Sequence, residues 1–122
     1  MKYIRTYSDS HGESHFDEVE VEFTQKDFAP PAPPFLVSPF NPALQYAYVS
    51  IPDGWYGEWH PAPHRQLSIL LSGQLDIETS DGEIRRFMPG DIHFMDDING
   101  KGHRTRVIGS SGIVAAMIQV PD

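Results

Sequence analysis

Short segments in which apolar and polar residues alternate make up most of the chain. Tyr46 to Ile51, Leu75 to Thr79 and His103 to Ile108 each follow this pattern, which is typical of strands with one buried face. Leu67 to Leu71 is a continuous apolar run of strand length and predicts a buried strand. No segment shows the periodicity of an amphipathic helix. The pattern therefore predicts an all-β protein.

Turn signals divide the rest of the chain into further short strands. The Pro-Asp-Gly, Asp-Gly and Pro-Gly-Asp combinations around positions 53, 81 and 90 are typical turn sequences. Many short strands separated in this way predict a sandwich or a closed barrel. The remaining predicted strands are Met1 to Tyr7 at a sheet edge, Phe16 to Phe23 with one solvated face, Ile84 to Phe87, Ile92 to Met95 and Ile113 to Val120.

A proline-rich segment, residues 27–42, interrupts the strand pattern. It contains six prolines, a density that forbids both helix and interior strand. It also carries Phe28, Phe35 and Phe40, which a flexible linker would not need. We expect an ordered, polyproline-like strap that lays its aromatic side chains on the barrel or on a second subunit. The residues before it are too few to fold alone, so the prediction is one domain, residues 1–122.

Composition narrows the classes of function. The chain has 122 residues, no cysteine and a formal net charge of −8. A surface this acidic would repel a phosphate backbone, so nucleic acid is not an expected partner. The absence of cysteine excludes disulfides and thiolate metal sites. There is no signal-peptide pattern and no apolar run of membrane-spanning length, so we expect a soluble cytoplasmic protein without a membrane partner.

Potential ligand groups concentrate just before the buried strand at Leu67. His60, His64 and Gln66 fall within seven residues, and Pro61 and Pro63 between them lack the N–H groups of a central strand. We expect a bent segment at the mouth of the barrel, where binding sites are usually built. Trp55, Tyr56 and Trp59 precede it and predict an aromatic rim for a ligand pocket, with core packing or a dimer contact as the alternative.

The order of these residues resembles the motifs of the cupin family. Gly73 follows Gln66 after six residues, as the motif glycine follows the family's glutamate, and His60 and Ala62 fall at the positions of its His-x-His pair. Gly82, the Pro89-Gly90-Asp91 turn and His103 resemble the second motif. The resemblance covers roughly Trp55 to Val107. It implies an antiparallel double-stranded β-helix, the jelly-roll barrel of the RmlC-like cupin superfamily.

Three further runs resemble a group of small single-domain cupins of undefined function. They are Asp27 to Pro34, Trp59 to Pro63 and Asn99 to His103. This likeness implies a fold and does not imply a reaction.

The cupin resemblance implies a divalent transition metal, Zn, Fe, Ni or Mn, held by histidines and a carboxylate. Gln66 offers only a neutral amide oxygen at the carboxylate position, and Ala62 offers no ligand at all. The candidate ligands are therefore His60, His64, Gln66 and His103. Residues four apart on a strand are about 13 Å apart, so His64 can join the site only if the prolines fold the segment back.

Other polar residues have simpler interpretations. His103 could instead form a hydrogen bond to a loop carbonyl. His60 could instead pack its ring against Trp59. His93 is predicted at the surface or in an interface, and the Asp96-Asp97 pair in solvent. Alternation predicts that Arg65, Arg104 and Arg106 point away from the cavity.

Three hypotheses of function remain open. In the first, a partly degenerate cupin site binds a small molecule through a divalent metal, and any catalysis is of the oxygenase or isomerase type common in the family. In the second, the pocket is a metal-free binding or sensing module that uses hydrogen bonds alone. In the third, the chain is a structural homodimer without catalysis. A homodimer is expected from the strap and from family habit.

Overall fold

The computed structural model describes residues 1–122 and contains only strands and their connections. No helix is present that could cross a membrane. Twelve strands follow in chain order: β1 (Lys2–Ser8), β2 (Ser14–Glu20), β3 (Thr24–Lys26), β4 (Phe35–Val37), β5 (Gln45–Ile51), β6 (Tyr56–His60), β7 (Gln66–Ser72), β8 (Gln74–Thr79), β9 (Ile84–Phe87), β10 (Ile92–Asp96), β11 (His103–Ile108) and β12 (Ile113–Gln119). The all-β prediction is confirmed.

The strands form two main sheets and one small hairpin. The larger sheet has the order β2-β1-β10-β7-β12-β5, and the smaller has the order β6-β11-β8-β9. All pairings are antiparallel except that of β1 with β10, which is parallel. The barrel is therefore open: β5 ends one sheet, and β6 ends the other.

The hydrophobic core lies between the two sheets. Leu70, Ile113 and Ala115 come from the larger sheet, and Ile77 and Val107 from the smaller one. These residues occupy alternate positions of their strands, so their side chains share the inward face of each sheet. The period-two pattern of the sequence is thus the pattern that builds the interior.

Two strands differ from the sequence-based expectation. β1, predicted at a sheet edge, lies inside the larger sheet between β2 and β10. Its Ile4 and Thr6 pair with His93 and Met95, a long-range parallel contact that no local turn signal announces. β6 was not predicted as a strand. Pro61 and Pro63 do not prevent this strand, because it lies at a sheet edge and ends at His60, before Pro61.

The proline-rich segment stands apart from both sheets. β3 pairs only with β4, and the hairpin includes a cis peptide bond between Pro30 and Pro31. Phe28 contacts Phe35 and Phe40, with ring centroids 5.4 and 5.9 Å apart, yet all three side chains remain exposed. The strap was expected to lay its aromatic residues on the barrel or on a second subunit; within a single chain these residues contact each other and leave much of their surface in solvent.

Candidate functional site

A cavity of about 220 Å³ lies between the two sheets. Of its 19 lining residues, 11 are hydrophobic, so most of its wall is apolar. Polar side chains also line it: the neighbouring rings of His60, His93 and His103, and the side chains of Gln66, Ser68, Asp91 and Thr105. A small apolar space with a few convergent polar groups is the usual form of a ligand site.

Strand pairing brings His60 and His103 together. They are direct cross-strand partners on β6 and β11, so their side chains share one face. Their ring centroids are 4.9 Å apart. The two histidines, 43 positions apart in sequence, therefore meet at the cavity.

Gly102 makes this approach possible. A Cβ atom at position 102 would lie 1.9 Å from the carbonyl oxygen of His60, and the backbone has φ +71°, a value that favours glycine. Any other residue would push β11 away from the end of β6. The glycine before His103 is thus part of the geometry of the histidine pair.

A buried carboxylate fixes the orientation of His103. The Nδ1 atom of His103 lies 2.6 Å from Oδ2 of Asp97, whose side chain is 0 % exposed. The main-chain oxygen of Asp97 also accepts a hydrogen bond from the N–H of Ala62 at 2.9 Å. Because the carboxylate oxygen accepts, Nδ1 carries the proton, and Nε2 of the neutral ring remains an acceptor.

His60 and Gln66 complete a set of acceptors. Nδ1 of His60 donates to the carbonyl oxygen of Glu58 at 2.5 Å, which again leaves Nε2 with a free lone pair. The Nε2 atom of Gln66 lies 3.7 Å from the sulfur of Met95, a weak contact that leaves the amide oxygen without a donor. The polar wall therefore offers two imidazole nitrogens and one amide oxygen to a hydrogen-bond donor or a cation.

His93 stays neutral at this wall. It is buried, its Nε2 lies 2.6 Å from Oγ1 of Thr6, and its ring lies against Phe87 with centroids 5.0 Å apart. Burial, with a smaller contribution from nearby His103, lowers the pKa of His93 to about 3. It therefore adds polarity to the cavity without adding charge.

The predicted site residues divide into two groups in the structure. His60, Gln66, His103 and Trp55 line the cavity. His64 is exposed and lies outside the cavity, because the two prolines before it, Pro61 and Pro63, do not fold it back.

Tyr56 and Trp59 also lie away from the cavity. The guanidinium of Arg106 lies 5.7 Å from the Tyr56 ring, and that of Arg104 lies 5.0 Å from the Trp59 ring. Arg104 also bonds Glu78 at 2.8 Å, outside the cavity. The predicted outward direction of these arginines is confirmed, and the two aromatic residues share their face.

Two residues at the site were misjudged from the sequence. The prediction of a surface or interface position for His93 is wrong, since its side chain is buried and lines the cavity. The prediction of a solvated Asp97 is also wrong. Asp96 is the half-exposed member of that pair, and its Oδ1 accepts a hydrogen bond from Arg65 at 2.9 Å.

The metal implied by the cupin resemblance fits these residues only in part. In its favour, both histidines engage Nδ1 with an oxygen acceptor and keep Nε2 free, the arrangement of many metal-bound histidines. Against it, no group of three or more His, Cys, Asp or Glu side chains is placed to hold one ion. A metal would have to be held by His60, His103 and the neutral oxygen of Gln66, so its affinity would be low.

Comparison with known proteins identifies the fold. No protein-family model and no curated protein matches the sequence. Among solved structures, the chain is similar to a Cupin 2 conserved barrel domain protein from Salinispora arenicola, with a TM-score of 0.52 and 15% identity over 83% of this chain and 76% of the other. It is also similar to the cupin domain of Cnp3 from Schizosaccharomyces pombe, with a TM-score of 0.53 and 14% identity over 89% of this chain and 73% of the other.

These similarities, together with the two facing antiparallel sheets, define the chain as a small all-β domain with the cupin fold. At such low identity the likeness concerns the fold alone.

Proposed function

We propose that the chain binds a small, mainly apolar molecule in the cavity between its sheets. The observation that carries the proposal is the set of acceptors on a mainly apolar wall: Nε2 of His60, Nε2 of His103 and the amide oxygen of Gln66. Such a wall selects a ligand with a hydroxyl or N–H donor and disfavours a carboxylate. The volume of about 220 Å³ is below the range of drug-sized pockets, roughly 300–1,000 Å³, so the ligand is small.

Binding of this kind is tested with phenol and toluene as probes. The two have similar size and shape, but only phenol carries a hydroxyl donor. Methyl NMR spectra of the Ile and Met residues that line the cavity should shift saturably with phenol and much less with toluene. In His103→Ala the preference for phenol should disappear. Equal responses to both probes, or none, would overturn the proposal.

A divalent metal is the second candidate occupant of the same acceptors. It is favoured by the fixed Nδ1 contacts of His60 and His103, which leave both Nε2 atoms free to coordinate. When bound, such an ion would supply Lewis-acid polarisation for chemistry of the isomerase type, and a redox-active ion such as Fe would be needed for chemistry of the oxygenase type. The chain's own residues would contribute the two imidazoles and the amide oxygen.

Elemental analysis of protein purified without chelator separates the two occupants. Stoichiometric Zn, Fe, Ni or Mn that is lost in a His60→Ala, His103→Ala variant would support the metal. His64→Ala is the matched control, because this histidine lies outside the cavity and its removal should change nothing. Protein that remains metal-free after dialysis against zinc, but still binds phenol, would assign the pocket to direct hydrogen bonding.

A further inference from the structure

The proline-rich segment and its flanks form an arm that the single chain leaves unpartnered. We define the aromatic arm as residues 23–40, which contain the β3–β4 hairpin. Phe28 stacks on Phe40 and lies near Phe35, yet Phe40 is 77 % exposed. β3 and β4 pair with no strand except each other. The arm is thus ordered by its own contacts and offers an apolar surface to solvent.

Strand β5 is also unpartnered, on one side. It pairs with β12 and ends the larger sheet, so the backbone groups of its other side have no strand to bond. Tyr46 and Tyr48 are 73 % and 70 % exposed, and their rings contact each other with centroids 6.1 Å apart. Leu44, just before the strand, is exposed as well. We call Leu44, Tyr46 and Tyr48 the β5 face.

Together the two surfaces expose enough apolar area for a stable interface. Counting aromatic side chains at about 150–250 Å² each and scaling by their exposure, the arm and the β5 face expose roughly 900 Å². One side of a standard protein interface is about 800 Å². The residues counted are Phe23, Phe28, Phe35, Leu36, Phe40, Leu44, Tyr46 and Tyr48.

The charge distribution marks the same region as a contact surface. Between residues 23 and 51 the only charged side chains are Lys26 and Asp27, which cancel. The rest of the chain therefore carries the whole net charge of −8. A contact through residues 23–51 therefore brings few like-charged side chains together, which limits the repulsion between two acidic copies.

We propose that two copies of this chain associate about a two-fold axis, with the arm of each copy docked on the β5 face of the other. One chain supplies both halves of the contact, a protruding apolar hairpin and an apolar sheet edge, and a two-fold operation satisfies each half twice. The six prolines between residues 27 and 42 restrict the arm before docking, which reduces the entropy lost on binding. The assembly does not depend on what the cavity binds.

The test compares molar masses by light scattering at micromolar concentration. Wild-type chain should give twice the 13.7 kDa of one copy. A Phe28→Ser, Phe40→Ser arm variant and a Tyr46→Asp, Tyr48→Asp edge variant should each weaken dimerisation about a hundredfold or more, because each variant loses aromatic contacts in both halves of the two-fold interface. The control is Ile84→Ser, an exposed apolar residue on the smaller sheet, which should stay dimeric.

Mixing the two variants tests the reciprocal arrangement. A heterodimer of arm variant and edge variant retains one complete contact, so the mixture should associate more tightly than either variant alone. All substituted side chains are exposed in the single chain, and unchanged thermal unfolding of the monomers would show that the fold is kept. A monomeric wild type, an edge variant that remains a dimer, or a mixture without gain would overturn the proposal.

Discussion

The polar wall of the cavity and the aromatic arm differ in what holds their side chains in place. In the wall, Asp97 fixes the ring of His103, and Thr6 fixes the ring of His93. In the arm, Phe28 and Phe40 contact each other and remain largely exposed to solvent. The wall is built by pairing between strands distant in sequence, whereas the two strands of the arm pair only with each other. Substitutions at the wall should therefore act on a single molecule, and substitutions in the arm should act on the assembly.

The largest effect on the wall should come from Gly102→Ala. The new Cβ would meet the carbonyl oxygen of His60 at 1.9 Å and would sit at φ +71°. We expect a loss of about 3 kcal/mol or more in the free energy of unfolding, or failure to fold. Urea unfolding measures it.

The control for this substitution is Gly82→Ala. Gly82 has φ +94° but nothing within 4 Å of its would-be Cβ, so only backbone strain of about 1 kcal/mol should appear. Equal losses in the two variants would mean that the close approach of Gly102 to His60 does not hold the histidine pair.

Asp97→Ala should have the next largest effect. It leaves Nδ1 of buried His103 without its acceptor, at a cost of about 2 kcal/mol in the free energy of unfolding. Without the carboxylate, the His103 ring should also populate both neutral tautomers, which ¹⁵N NMR of the ring distinguishes.

The neighbouring acid provides the control. Asp96→Ala removes partly exposed ion pairs with Arg65 and Arg5, each worth less than about 1 kcal/mol, and should leave the His103 tautomer unchanged. A mixed tautomer already present in the wild-type protein would contradict the role given to Asp97.

A smaller effect is expected from Gln66→Glu. It places a carboxyl group in a buried position of a mostly apolar cavity, so the metal-free variant should melt at a lower temperature than wild type. The loss is limited because the new side chain can remain protonated. Added zinc should restore stability to the variant more than to wild type, since the anionic oxygen is a stronger ligand.

Differential scanning fluorimetry with and without zinc measures this difference. Gln25→Glu is the control, because Gln25 is exposed and its substitution should give no response to zinc. If zinc stabilises neither Gln66→Glu nor wild type, His60 and His103 do not act as metal ligands.

The smallest effect concerns a surface cluster outside the cavity. His15 Nε2 lies 2.7 Å from Asp9 and Nδ1 lies 3.0 Å from Asp81. The hydrogen bond to Asp9, assisted by Asp81, raises the pKa of His15 above its usual 6.5, and the bond to His15 lowers the pKa of Asp9 below 3.8.

Because folding raises the pKa of His15, its stabilising contribution is complete below pH 6.5 and is lost as the pH rises through the raised pKa. The stability difference between wild type and His15→Asn should therefore shrink from about pH 6 to about pH 9, a range that spans the His titration. A difference that is constant with pH would contradict the charged pairing.

Much of the fold could be predicted because apolar and polar residues alternate along most of its strands. Leu75 to Thr79 and His103 to Ile108 match β8 and β11 within their bounds. The arm hairpin β3–β4 was missed, since it lies in a segment whose prolines argue against any strand. The parallel pairing of β1 with β10 was missed as well. Alternation along the sequence shows which side chains share a face of the strand, but it does not show which strands lie beside it.

The site was predictable where motif spacing applied and obscure elsewhere. Spacing pointed to His60, Gln66 and His103, and all three line the cavity. His93 was missed because β10 is apolar on both faces: Met95 points inward with His93, while Phe94 packs near Tyr3 with ring centroids 6.3 Å apart. The periodicity of the sequence therefore could not show which face of β10 lines the cavity.

The aromatic rim was harder to predict for a different reason. A register shift between His103 and Thr105 interrupts the pairing of β11 with β6, so simple alternation does not assign the faces around Trp59. Local sequence contains no signal for such a shift, because it depends on how the two strands meet.

The parallel pairing of β1 with β10 has a consequence for how this chain acquires its shape. Thr6 and His93 are 87 positions apart, and the hydroxyl that holds the imidazole belongs to β1. Contacts of such high sequence separation slow folding, because loop closure must precede them. The hairpin of β1 and β2 can form by local pairing, but it can dock on the larger sheet only once β10 is in place, so the part of the cavity around His93 should be completed late in folding.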